Sequence, residues 1–112
     1  MTGTWNGGPS STEGPDIYTG DGSNDVANGQ GGNDILYGNA GNDSLLGGAG
    51  SDTLFGGDGD DYLEEQHGDG TVTIDGGAGN DGVHFEAFVA GNPFATGTID
   101  GGADVDEFFV WG

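Results

Sequence analysis

Aspartate returns every nine residues along the first half of this chain, at Asp16, Asp25, Asp34, Asp43, Asp52 and Asp61, without a slip. Glycine keeps the same register. Gly29, Gly38, Gly47 and Gly56 stand five residues before an aspartate, and Gly32, Gly41, Gly50 and Gly59 stand two before. Two residues after each aspartate comes Tyr18, Ala27, Leu36, Leu45, Leu54 or Leu63. Such a period constrains the fold strongly, because a unit too short to bury its own apolar residue must stack on copies of itself. Counted from the first glycine, the aspartate is position six of the unit and the apolar residue position eight.

Each unit divides in two. Its six glycine-rich residues can turn, since glycine tolerates positive φ. The remaining three alternate outward, inward and outward as a very short strand, which sends position eight to the interior. Two units per coil place successive strands on opposite sheets, so equivalent turns on one edge recur every 18 residues.

Five units run unbroken from Gly20 to Glu64, preceded by a weaker one at residues 11–19. Beyond them "EQHGDGTVTI" holds Gly68 at position four and Val72 at position eight, but Gly70 stands where aspartate belongs. Two extra residues are expected after it, before "GGAGNDGVH" restarts the unit with Asp81. A longer apolar stretch leads to a last variant, "GGADVDEFF", carrying Asp106 and Phe108. Lengthening strands suit a terminal cap. The expected organisation is an N-terminal extension at 1–10, the repeats at 11–84, and capping strands with a degenerate repeat at 85–112.

Charge narrows the functional classes. Twenty acidic residues face no lysine or arginine, a formal net charge of −20, so no side chain of those types can neutralise the aspartates. With 31% hydrophobic residues and 28 glycines, composition alone describes a disordered segment unless a cation intervenes. Nucleic acid is excluded for want of a basic footprint, and anionic membrane surfaces would repel the chain. No apolar run approaches the roughly 18 residues of a membrane span, and no basic-then-apolar start suggests a signal peptide. Cysteine is absent, which removes disulfides as a source of stability.

The unit G-G-x-G-x-D-x-U-x, with U a bulky aliphatic residue, resembles the RTX nonapeptide repeat. The resemblance covers residues 11–84 and returns at 101–109. It implies an all-β, right-handed parallel β-roll (a β-helix solenoid) of two short-strand sheets, with calcium in the glycine-rich turns. It also implies a secreted, extracellular bacterial protein exported by type I secretion. Calcium suits the donors independently: it takes about 6–8 oxygen ligands, backbone carbonyls included. Zinc or copper would call for cysteine clusters or paired histidines, and magnesium for a rigid octahedron.

In the family each ion lies between two turns of one edge. The 18-residue step puts Asp25, Asp43 and Asp61 on one edge, continued by Asp81 and Asp106, and Asp16, Asp34 and Asp52 on the other. Asp69, one residue early, is the candidate replacement where Gly70 breaks the series. Neighbouring pairs 25/43, 43/61, 61/81, 81/106, 16/34 and 34/52 give about six calcium ions. The resemblance supplies the other ligands as backbone carbonyls of Gly29, Gly31, Gly38, Ala40, Gly47, Ala49, Gly76 and Ala78. Gly32, Gly41, Gly50, Gly57, Gly59 and Gly79 complete the candidate metal-binding turns. About six dications would cancel about twelve of the twenty negative charges, and sites shared between turns make binding free energy folding free energy.

Other readings fit these residues less well. His67 and His84 lie near Glu65 and Glu86, but no nucleophile motif accompanies them, and surface or strand-face positions are expected. A phosphate-binding loop needs a lysine. An EF-hand starting at Asp58 would have Leu63 where glycine is required. Asn42-Asp43-Ser44 fits a glycosylation sequon, but the same residues serve the turn. Outward positions Ile35, Tyr37, Thr53, Phe55, Thr71 and Thr73 form one face, which supports an alternative adhesive or surface-binding role, ice included. A larger parent polypeptide covering that face is the competing account, and the tail of a secreted enzyme is a third reading. The C-terminal "EFFVWG" resembles the acidic-then-apolar ending of some type I substrates, and a capping strand explains it equally.

Overall fold

The period of nine becomes a two-sheet solenoid. The structure is a computed structural model that describes residues 4–5, 14–65, 71–86, 96–100, 102 and 107–111. Its elements are all strands: β1 (Thr4–Trp5), β2 (Ile17–Thr19), β3 (Val26–Asn28), β4 (Ile35–Tyr37), β5 (Ser44–Leu46), β6 (Thr53–Asp58), β7 (Tyr62–Glu65), β8 (Thr71–Ala78), β9 (Gly82–Glu86), β10 (Thr96–Asp100) and β11 (Glu107–Trp111). β1 and the even-numbered strands make one sheet, in the order β1-β2-β4-β6-β8-β10, and the remaining odd-numbered strands the other, β11-β9-β7-β5-β3. Every pairing is parallel except that of β1, which lies antiparallel along β2. The chain is therefore a β-roll, as the repeat implied. Within the expected N-terminal extension, Thr4–Trp5 forms an edge strand.

Register follows the 18-residue step. Leu36 stands opposite Tyr18 and Leu54 in one sheet, and Leu45 opposite Ala27 and Leu63 in the other. Each three-residue strand hides its central side chain and turns its neighbours outward. The buried cluster is Tyr18, Ala27, Leu36, Leu45, Leu54, Leu63, Val72, Ile74 and Val83. All but Val72 are the eighth residue of a unit as the strands pair, so the core is one stack per sheet, meeting across a narrow interior.

The irregular unit differs from the sequence expectation in one respect. Thr73 and Ile74 pair with Thr53 and Leu54, so Ile74, not Val72, continues the core stack. The two extra residues therefore precede Thr73 instead of following Val72, and Thr71 and Val72 lengthen the start of β8. Burial is the physical reason: a shift of two keeps side-chain alternation intact, so Val72 and Ile74 both face inward.

Leu54, fully buried in the middle of its sheet, sets a test of this stack. Leu54→Ala is expected to destabilise the fold by about 2–5 kcal/mol. Val26→Ala, at a side chain 72% exposed, should stay within about 0.5 kcal/mol. Denaturant unfolding of the two variants checks the difference.

Candidate metal centre

The six-residue turns stack along two edges, and their glycines answer two separate demands. Positions two and four are left-handed. Gly48, Gly57 and Gly77 at position two have φ of 94, 94 and 88°, and Gly41, Gly50, Gly59 and Gly79 at position four have 105, 116, 120 and 117°. Gln30 and Asn39 occupy position two with φ of 71° although they carry side chains. Position one has no such φ. There a Cβ would collide: on Gly38 it would lie 2.5 Å from both Asp43 Oδ2 and the Gly56 carbonyl oxygen, and on Gly29 2.4 Å from Asp34 Oδ2 and 2.7 Å from the Gly47 oxygen. Gly29 and Gly38 thus each leave room for a carboxylate oxygen and a carbonyl oxygen to converge.

The aspartates form hydrogen-bonded ladders. Asp25, Asp43 and Asp61 donate their backbone N–H groups to Oδ1 of Asp43, Asp61 and Asp81, at 2.7, 2.8 and 2.9 Å. On the other edge Asp16 and Asp34 donate to Oδ1 of Asp34 and Asp52, at 2.8 and 2.9 Å. All seven residues are buried. The structure therefore brings together the two sets grouped by the 18-residue step. Asp106, Asp69, Gly68 and Gly70 lie outside the described residues, as does His67.

What the second carboxylate oxygen does separates the turns. Oδ2 of Asp34, Asp43 and Asp61 is buried with no hydrogen-bond partner, facing the space beside Gly29, Gly38 and Gly56. Burial pushes Asp34 up to about 6 and Asp61 up to about 7, and shifts Asp43 upward; neighbouring carboxylates add to each. The first turn is built otherwise. Asp25 Oδ2 accepts the Asp21 N–H at 2.9 Å, while Asp21 Oδ1 accepts the Ser23 N–H at 2.8 Å and the Ser23 hydroxyl. Those bonds from Ser23 hold the Asp21 carboxyl below its usual range. Ser23 sits at position four, where later turns have glycine.

The candidate carbonyl donors occupy the same turns. Gly38, Gly47 and Gly76 present their oxygens beside the position-one glycine of the preceding coil. Gly31 bridges Ala49, Ala40 bridges Asp58, and the Ala78 oxygen accepts the Gly59 N–H at 2.9 Å. Gly32, Gly41, Gly50, Gly57, Gly59 and Gly79 pack against the backbone of the coil before them. Among the described residues no three His, Cys, Asp or Glu side chains gather into one metal-holding group. A cation here must combine carboxylate with backbone oxygen, the donor mixture of a hard, flexible ion such as calcium. The orphaned, buried Oδ2 atoms fit such a cation, since a desolvated carboxylate oxygen needs a positive partner.

A model of the RTX calcium-binding nonapeptide repeat, four copies long, matches residues 10–45, 37–64 and 68–87. The chain belongs to this family. RTX repeats bind calcium as a class, and the turn geometry agrees with that chemistry. No curated protein and no solved structure matches the chain.

Sequence reasoning missed two features. Position five carries a second ladder. Asn24 Oδ1 accepts the Asn42 N–H, Asn42 Oδ1 the Asp60 N–H, and Asp60 Oδ1 the Asn80 N–H, at 2.8, 2.9 and 2.9 Å. The recurring Asn-Asp pair was its visible signal. Asn42, read as a sequon residue, has this role. The second feature is that Glu65, noticed only as a neighbour of His67, is itself fully buried. His84 lies on β9 with Nδ1 3.2 Å from the Tyr62 hydroxyl.

Two outcomes are expected of these turns. Gly38→Ala should cost about 1–3 kcal/mol by overpacking and Gly41→Ala about as much by backbone strain. Gln30→Gly should be neutral or stabilising by up to about 1 kcal/mol. Chemical denaturation ranks the three. Separately, raised folded-state values mean that the metal-free fold binds protons that the unfolded chain releases. That stability is complete below the ordinary carboxylate value of 3.8 and is lost as pH rises through about 6 and about 7. The strand signal in chelator should therefore grow on acidification from neutral pH towards 4, which circular dichroism measures.

Proposed function

We propose that this chain is a calcium-dependent folding module of a secreted bacterial protein: unfolded where calcium is scarce, folded once exported. The single observation that carries the reading is the set of buried Oδ2 atoms of Asp34, Asp43 and Asp61, left without hydrogen bonds in a chain that has no lysine or arginine. The unneutralised chain repels itself, and ions shared between coils would remove that repulsion while bridging the turns. Each occupied site contributes RT ln(1 + [Ca]/Kd), about 1.4 kcal/mol per tenfold excess of calcium. Several such sites acting together make folding steep in calcium. About six ions, held by the aspartate pairs and turn carbonyls named from the repeat, complete the proposal. Type I export fits a chain kept unfolded until it reaches extracellular calcium, where modules of this kind work near roughly 10⁻⁴–10⁻³ M.

An adhesive role is favoured by one observation. Tyr37 stacks on Phe55 with ring centroids 5.2 Å apart, and Tyr37 and Ile17 are 39% and 42% exposed on the same sheet. An apolar strip of this kind marks a contact surface, and it can coexist with calcium-driven folding.

Far-ultraviolet circular dichroism during calcium titration tests the reading, with magnesium as control. A cooperative gain of strand signal with calcium alone is expected, and a fold indifferent to calcium at neutral pH would end the proposal. Asp43→Asn separates the two duties of the carboxylate, because the amide oxygen still accepts the Asp25 N–H while the charge is gone. It should raise the calcium midpoint roughly tenfold or more. Asp25→Asn should do less, since Asp25 Oδ2 is already engaged by Asp21.

A further inference from the structure

Glu65 stands at position one of its turn, where Gly20, Gly29, Gly38, Gly47, Gly56 and Gly76 stand in theirs. Its side chain is fully buried, as is that of Asp52 one coil earlier on the same edge. A Cβ placed on Gly47 would lie 2.1 Å from Glu65 Oε2 and 2.7 Å from Asp52 Oδ2. At Gly29 the same two places belong to the Gly47 carbonyl oxygen and Asp34 Oδ2, and at Gly38 to the Gly56 oxygen and Asp43 Oδ2. The Glu65 carboxylate therefore reaches back into the spot that a glycine carbonyl fills in the other coils.

The substitution falls where the series loses an aspartate: Gly70 stands at position six by the nine-residue count, and Val72 stands opposite Asp52 by strand pairing. Two buried carboxylates now meet, in a chain without lysine or arginine. Like charges that close, withdrawn from water, are relieved by a bound cation or a shared proton. We propose that Glu65 is a calcium ligand that pairs with Asp52, so that the edge holds an ion where the aspartate pattern alone would leave it one carboxylate short. Exchanging a carbonyl for a carboxylate raises the negative charge around the ion, and ligand charge is one of the terms that tunes calcium affinity. This inference rests on the calcium reading above and adds to it a ligand outside the nonapeptide pattern.

Calorimetric counting of calcium at neutral pH, together with the circular dichroism midpoint, tests it on the full chain and on Glu65→Gln and Glu65→Gly. Glu65→Gln keeps the size and removes the charge. Glu65→Gly restores the glycine of the other turns, so that folding can be retained while the carboxylate is gone. Both variants are expected to bind one ion fewer than the parent chain and still to fold with the remainder. An unchanged ion count and midpoint in both variants would overturn the inference while leaving the broader reading intact. So would a Glu65→Gln chain that is more stable in chelator and binds the full complement, because a shared proton would then account for the pair. A parent chain that binds no calcium would overturn both.

Discussion

Everything in this fold depends on how seven buried aspartates are kept from repelling one another. Each carboxylate from Asp34 onward gives one oxygen to a backbone N–H of the coil before it. That bond fixes the side chain against the turn and takes it out of water. Charge-assisted bonds of this type favour the ionised form, but burial opposes it more strongly and raises Asp34, Asp43 and Asp61. The fold thus aligns its carboxylates before anything has neutralised them. A divalent cation resolves the conflict with oxygen ligands alone, and the absence of lysine and arginine keeps competing partners away.

The glycines follow from the same requirement. Left-handed backbone at positions two and four lets the turn close within six residues, and the bare Cα at position one leaves the space into which Asp Oδ2 and a carbonyl project. The second of these demands is the stricter. Gln30 and Asn39 show that position two admits a side chain with φ of 71°, and Asn39 recovers part of the cost by donating from Nδ2 to the Gly20 carbonyl at 2.7 Å. At position one the exception is Glu65, whose own side chain enters the space beside Gly47.

Much of this was legible in the sequence because one residue type answers for each task at a fixed spacing. Asp at position six and Leu at position eight recur without interruption from Asp34 to Leu63, and the coil of two units, the register of both sheets and the membership of each edge all follow. The irregular features escaped because their cause is not periodic. Whether Val72 or Ile74 would continue the core could not be read from alternation, since both point inward and only pairing with Leu54 decides. Asp21 has no counterpart at position two of the later turns, yet with Ser23 it closes the first turn and engages Asp25 Oδ2. Glu65 was hidden for a simpler reason: a glutamate outside the repeat pattern in an acidic chain reads as solvated, and only the neighbouring coil shows where it goes.

The two ladders also explain why such short strands can act as one body. At position six the downstream side chain accepts from the upstream N–H, as in Asp25 to Asp43; at position five the upstream side chain accepts from the downstream N–H, as in Asn42 to Asn24. The bonds run in opposite directions along the same edge, so each coil is held by its predecessor and its successor. A three-residue strand contributes little by itself, and in a solenoid the stability resides in the interfaces between units. Ions placed between turns would strengthen those same interfaces, so that occupancy at one level favours order at the next. Cooperative folding then requires no long-range signal. It follows from putting the hydrogen bonds, the apolar stack and the cation sites all between neighbouring coils, leaving no unit that could be stable alone.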